Sequence, residues 1–124
     1  MLAEFDVVTT IPVVDLDRAK AFYSQVLGLR VVEETPMAVR LVAKSGQVSL
    51  FRRGPTKADH TVMHFEVRGL EGIIDELRAK GAQILEYDSG PLKTTNGVAR
   101  LGAVRAAWLK DTEGNILGLR EGSP

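Results

Sequence analysis

An α+β fold of two tandem βαβββ modules is predicted from three features of the chain. Stretches of strand composition alternate with two apolar stripes at helical spacing, and breaker residues separate them. The pattern then repeats. Val13-Val14-Asp15-Leu16 and Val67-Arg68-Gly69-Leu70 stand 54 residues apart, and Gly28 and Gly81 stand 53 apart. A period this regular implies duplication of one supersecondary unit.

The first module is expected over residues 1–53. Residues 5–14 are rich in Val, Thr and Ile, and Pro12 marks an edge or a bulge near their end. Asp15 is placed to cap a helix. Behind it Ala19, Phe22, Tyr23, Val26 and Leu27 form one apolar stripe along about three turns, and Gly28 offers a left-handed residue to end them. Strands are expected at 29–34, 37–44 and 47–53, divided by Thr35-Pro36 and Ser45-Gly46.

Residues 54–59 are polar and breaker-rich, which makes them a linker. The second module then runs over 60–124. Residues 60–68 alternate like a strand, Leu70, Ile73, Ile74 and Leu77 repeat the helical spacing, and a strand at 82–88 leads into a loop at 89–97. The closing hairpin turns at Asp111-Thr112-Glu113-Gly114-Asn115, residue types that tolerate a tight reversal. Symmetric closure sets Lys110 opposite Ile116 and Trp108 opposite Gly118. With one helix covering one face of each sheet, the opposite faces are expected to form a curved cup with the helices outside.

Lys+Arg and Asp+Glu both number 16, so no global field favours nucleic acid or an anionic membrane. Without cysteine there is no disulfide, thiolate metal site or cysteine nucleophile. No basic-then-apolar leader and no run of membrane-spanning length is present, so a cytoplasmic location is expected. Nor is there a GxSxG, P-loop or dinucleotide fingerprint.

Residues 110–119, KDTEGNILGL, together with Asp15-Leu16-Asp17, Ala21-Phe22-Tyr23 and Leu27-Gly28-Leu29, resemble the vicinal oxygen chelate superfamily, which includes glyoxalase I, bleomycin-resistance proteins and extradiol dioxygenases. The resemblance covers essentially the whole chain. It implies a metal site in which four inward positions carry His or Glu, the last of them three residues after the turn Asn. Those positions fall on Val8, Ser49, Val62 and Gly118, and none supplies an imidazole or carboxylate. A member with no metal and no cofactor is therefore expected. Likeness to the bleomycin-resistance branch further implies a homodimer whose partner is a small molecule rather than nucleic acid or a membrane.

Strand alternation sends Asp6, Val8 and Thr10, then Gln47, Ser49 and Phe51, then Val62, His64 and Glu66, and finally Ala106, Trp108, Lys110, Ile116, Gly118 and Arg120 into the cup. Trp108 offers a flat apolar wall, with Phe51 and Tyr87 as companions, or else it fills the space over Gly118. His64 is either a base beside Glu66 or a structural imidazole bonded to Glu66 or Thr10. Ser49 and Thr10 add polar contacts, and Arg120 and Lys110 are rim cations suited to a carboxylate or phosphate. Lys93, Thr94, Thr95 and Asn96 lie on the loop expected to act as a lid.

Three functions are open at this point. One is metal-independent sequestration of a flat, partly aromatic molecule. A second is a glyoxalase-type lyase, isomerase or dioxygenase built on His64 and Glu66. In a third, the cup is filled by its own side chains and the chain is an interaction module.

Overall fold

The computed structural model describes residues 1–122 and divides the chain into two compact units, Met1–Thr56 and Lys57–Pro124. Each unit is one mixed sheet with one helix.

In the first unit β1 (Val8–Val13), β2 (Arg30–Glu34), β3 (Ala38–Val42) and β4 (Gln47–Arg52) run in the order β1-β4-β3-β2, with β1 and β4 parallel. Ile11, Val13, Val48, Leu50, Val39 and Leu41 are buried, while their neighbours along each strand are not. This is the alternation of a sheet covered on one side. Its cover is the helix after Asp15, whose Oδ1 accepts the Arg18 amide at 3.0 Å.

That helix is not the uniform three turns expected. It is α-helical only over α1 (Leu16–Ala21) and widens to a π-turn over Phe22–Val26. The Ser24 hydroxyl donates to the Lys20 carbonyl at 2.7 Å, and the Leu27 amide reaches back five residues to Phe22. The wider turn buries both Phe22 and Tyr23, whose rings meet edge to face. Gly28 ends it at φ 80°.

The second unit repeats this order with a difference. β5 (Thr61–Glu66), α2 (Leu70–Ala79), β6 (Gln83–Ile84), β7 (Thr94–Thr95), β8 (Val98–Leu101), β9 (Val104–Lys110) and β10 (Ile116–Glu121) give a sheet ordered β5-β10-β9-β8-β7, with β5 and β10 parallel. β6 pairs with the C-terminal part of β9, at Lys110 and Leu109, and β8 pairs with its N-terminal part, at Ala106 to Val104. Where the first unit has the single strand β2, the second has an edge that leaves after Leu85 and rejoins the same partner at Ala99.

The strand expected at 82–88 is therefore cut to two residues, and the short strands β7 and β8 replace part of the expected loop and connection. Local hydrogen bonds are the cause. Tyr87 and Thr94 exchange main-chain and hydroxyl bonds of 2.7 and 2.8 Å, and the Glu86 carboxylate accepts from the Thr94 hydroxyl and the Gly97 amide. These bonds replace the ladder to β9 with contacts inside the excursion, whose main chain therefore leaves the sheet.

Duplication also left α2 without a cap. Gly69 stands at the position of Asp15, with φ 74° and no side chain to accept the first amides. Glu121, at the end of β10, does so instead, accepting from Gly69 at 2.6 Å and Leu70 at 3.3 Å. Leu70, Ile74 and Leu77 of α2 are buried, as are Ala107, Leu109, Leu117 and Leu119 of the sheet.

The closing turn forms as expected. Asp111 Oδ1 accepts the amides of Glu113 and Asn115 at 2.8 Å each, Oδ2 accepts the Asn115 side-chain amide at 2.9 Å, and Gly114 takes φ 86°. Asp111 and Asn115 are both buried.

Candidate functional site

Register assembles the candidate residues of the second unit into rows across one sheet face. Trp108 of β9 lies opposite Gly118 of β10, and Gly118 lies opposite His64 of β5. In the next row Ala99, Ala106, Arg120 and Glu66 follow one another across four strands. Lys110 and Ile116 continue to Thr61 in a third row.

Alternation alone would send Thr61 to the other face. The register shifts between Ile116 and Leu117, leaving Val62 as the extra residue of a bulge. A Cβ on Gly118 would lie 3.3 Å from the Thr61 methyl and 3.0 Å from the His64 Cβ. The absence of a side chain at Gly118 is thus what admits His64 and Thr61.

One end of this face is aromatic and covered. Trp108 is 9% exposed and packs with Ala99, Ala106, Leu85, Tyr87 and Ile116. The Tyr87 ring stands edge-on to the indole, 5.4 Å away at 85°. The excursion therefore does carry a side chain onto the tryptophan, but that side chain is Tyr87 rather than the polar group at 93–96. Thr94 is buried in the excursion's own hydrogen bonds, and the Asn96 side-chain Oδ1 accepts from Arg78 at 3.4 Å. Lys93 lines a recess of about 680 Å³ with Glu71, Arg100 and Arg105, away from the Trp108 rows.

The other end is charged and open. His64 Nε2 lies 3.1 Å from Glu66 Oε1, and Arg120 Nη1 donates to both Glu66 oxygens at 2.9 Å. These side chains are 52%, 60% and 45% exposed, so solvent screens the ion pairs and they add little to stability. Their bonds from His64 and then Arg120 hold the Glu66 carboxyl below the usual carboxylate range. Of the two partners expected for His64, the structure supplies Glu66 and not Thr10, and the imidazole is exposed. His60 is an exposed residue paired to Asp59 at 2.7 Å.

Thr10, Ser49 and Phe51 belong to the first unit. Thr10 faces Ser49 and Ser49 faces Arg40, while Phe51 lies between Pro12 and Ala38. Ser49 and Phe51 are half-buried and Thr10 is exposed, on the face opposite Ile11, Val48 and Leu50. Asp6, expected on that face as well, precedes β1.

Val8, Ser49, Val62 and Gly118 do not fit a divalent ion. They bring no imidazole or carboxylate, and at Gly118 the space a carboxylate stem needs is taken by His64 and Thr61. Among the described residues no three His, Asp or Glu side chains converge as a metal site would require.

The helix-side face holds a row that residue-type reasoning missed. Arg100, Arg105 and Glu121 lie opposite one another on β8, β9 and β10, and Arg105 bridges Glu71 of α2 to Glu121. These bonds hold the Arg105 guanidinium above its ordinary range and both carboxyls below theirs. Extending the Trp108–Gly118 register by three residues pairs Arg105 with Glu121, so this contact was available from the sequence.

A family model, the Glyoxalase/Bleomycin resistance protein/Dioxygenase superfamily, matches residues 5–118. The chain belongs to this superfamily. Its glyoxalase-type fold recurs in solved structures of diverse members. TnmS3, an antibiotic binding protein from Streptomyces sp. CB03234, is 20% identical with a TM-score of 0.69, covering 96% of each chain. FosX, a fosfomycin resistance protein from Listeria monocytogenes, is 12% identical with a TM-score of 0.72 over 94% of this chain and 92% of its own. Lactoylglutathione lyase from Agrobacterium tumefaciens is 20% identical with a TM-score of 0.67 over 95% and 93%. At these identities the likeness establishes the fold alone. No curated protein sequence matches this superfamily member. None of its described helices is long and apolar enough to cross a membrane.

Proposed function

We propose that the second unit binds a small, flat, partly aromatic molecule on the Trp108 face without a metal, in the manner of sequestration rather than turnover. The observation that carries this reading is the row Trp108–Gly118–His64. An aromatic wall and an ionisable cluster stand on one face, about 10 Å apart by strand spacing, with a residue lacking a side chain between them. Apolar surface with a few placed polar groups is the usual composition of a small-molecule site. Tyr87 covers the indole, so a ring stacking there takes the place of Tyr87. An antibiotic binding protein and a fosfomycin resistance protein on the same fold support the reading. We further propose a cytoplasmic homodimer, which light scattering at micromolar concentration checks.

Trp108 is the chain's single tryptophan, so its emission is the direct probe. Titration with a panel of planar natural products should give saturable quenching, and calorimetry should give weaker binding by Trp108→Ala. A panel with no response in either measurement removes the proposal.

His64 beside Glu66 at 3.1 Å favours one alternative, acid–base catalysis by a glyoxalase-type lyase or isomerase. Turnover that survives unchanged in His64→Ala excludes it.

A further inference from the structure

A recess of about 790 Å³ lies at the end of the second sheet and is lined by Glu66, Arg68, Arg100, Gly102, Arg105 and Glu121, among others. Its volume falls within the range of small-molecule sites. Arg68 follows β5 and Arg100 belongs to β8, and neither side chain has an ion pair or hydrogen bond among the described residues. The recess's carboxylates are engaged elsewhere: Glu66 by Arg120 and His64, Glu121 by Arg105 and the first amides of α2.

Arg100 also lies directly opposite Arg105, and like charges in that position repel. Arg105 is bonded to Glu71 and Glu121, whereas Arg100 feels the Glu71 charge without bonding it. Gly102, Ala103 and Gly122 contribute no side chain larger than a methyl, so the floor between the arginines is mostly main chain. Two guanidinium forks with no bonded partner among the described residues, beside such a floor, suit a planar or tetrahedral oxyanion.

We infer that this recess binds a small organic oxyanion, a phosphate- or carboxylate-bearing molecule, through Arg68 and Arg100. The site does not depend on the aromatic wall at Trp108, so the two stand or fall separately.

Calorimetric titration of the full chain at low salt with inorganic phosphate, and in parallel with citrate, tests the inference. One-to-one saturable binding is expected, weakened about tenfold by Arg68→Gln or Arg100→Gln and weakened by added sodium chloride. Both arginines are exposed and unpaired, so circular dichroism should be unchanged in the variants. Lys57→Gln removes one exposed charge outside the recess and should leave affinity unaltered, as should Trp108→Phe. Tighter phosphate indicates a phosphoryl ligand and tighter citrate a polycarboxylate, and either supports the site. Non-saturable heats, affinity unmoved by both arginine variants, or an equal loss in Lys57→Gln overturns it.

Discussion

Glu121 caps a helix that begins at Gly69, accepting its amide at 2.6 Å from 52 residues along the chain. The bond ties the last strand to the first turn of α2, and Arg105 ties both to Glu71. Glu121→Ala should lower the unfolding temperature by a few degrees, and Glu121→Gln, which keeps an acceptor, by less. Thermal scans at neutral pH read the difference. Equal loss in the two variants would mean that charge rather than capping is what matters.

The same carboxylates give stability a pH dependence. Glu121 and Glu71 titrate below the ordinary glutamate value of 4.5 because Arg105 bonds their charged forms. A depressed folded pKa contributes stability at higher pH that is lost as pH falls through 4.5 towards the folded value. Unfolding temperature should therefore decline below about pH 4.5, and less steeply in Arg105→Gln. A wild-type profile no steeper than the variant's would sink the assignment.

A methyl at Gly118 should force its neighbours to shift. A Cβ there meets the His64 Cβ at 3.0 Å, so Gly118→Ala should cost about 1–3 kcal/mol in urea unfolding. Because the contact is Cβ to Cβ, His64→Ala should give no relief and His64→Gly should, as a coupling energy in a double-variant cycle. Additive losses would disprove the contact.

Asp111→Ala should cost about 1–3 kcal/mol, because the amides of Glu113 and Asn115 and the buried Asn115 side chain all lose an acceptor. Chemical denaturation with an unchanged m-value would attribute the loss to the turn. A variant as stable as the parent would exclude that role.

Tyr87→Ala should uncover the indole, seen as red-shifted emission and stronger acrylamide quenching of Trp108. Glu86→Gln acts without touching the ring, since it loosens the bonds to Thr94 and Gly97. It should move the same signals in the same direction by less, and no change in either variant would show that Tyr87 is not the cover.

Much of the fold was legible because duplication repeats its own punctuation. Gly28 and Gly81 end their helical segments at φ 80° and 87°, and the hairpin register at Trp108 and Gly118 followed from loop length alone. What stayed hidden depended on contacts between residues far apart in sequence or on hydrogen bonds that override an alternating pattern. Residues 82–88 have strand composition, yet Thr94 takes the Tyr87 main chain away from the sheet. The bulge at Val62, which turns Thr61 towards Gly118, leaves no mark in composition. Charged residues were read singly, so Arg120 was expected as a free rim cation although register pairs it with Glu66.

The interrupted edge of the second sheet carries a consequence for how this protein behaves in a crowded solution. By breaking this edge into the two residues of β6 and the short β8, which is itself flanked by the two residues of β7, the excursion denies a passing strand any long run of free amides and carbonyls on which to zip. The first sheet guards its own border otherwise, with a kinked β2 bearing Arg30, Glu33 and Glu34. Closing the gap by deleting residues 86–97 would therefore be expected to trade solubility for a tidier sheet.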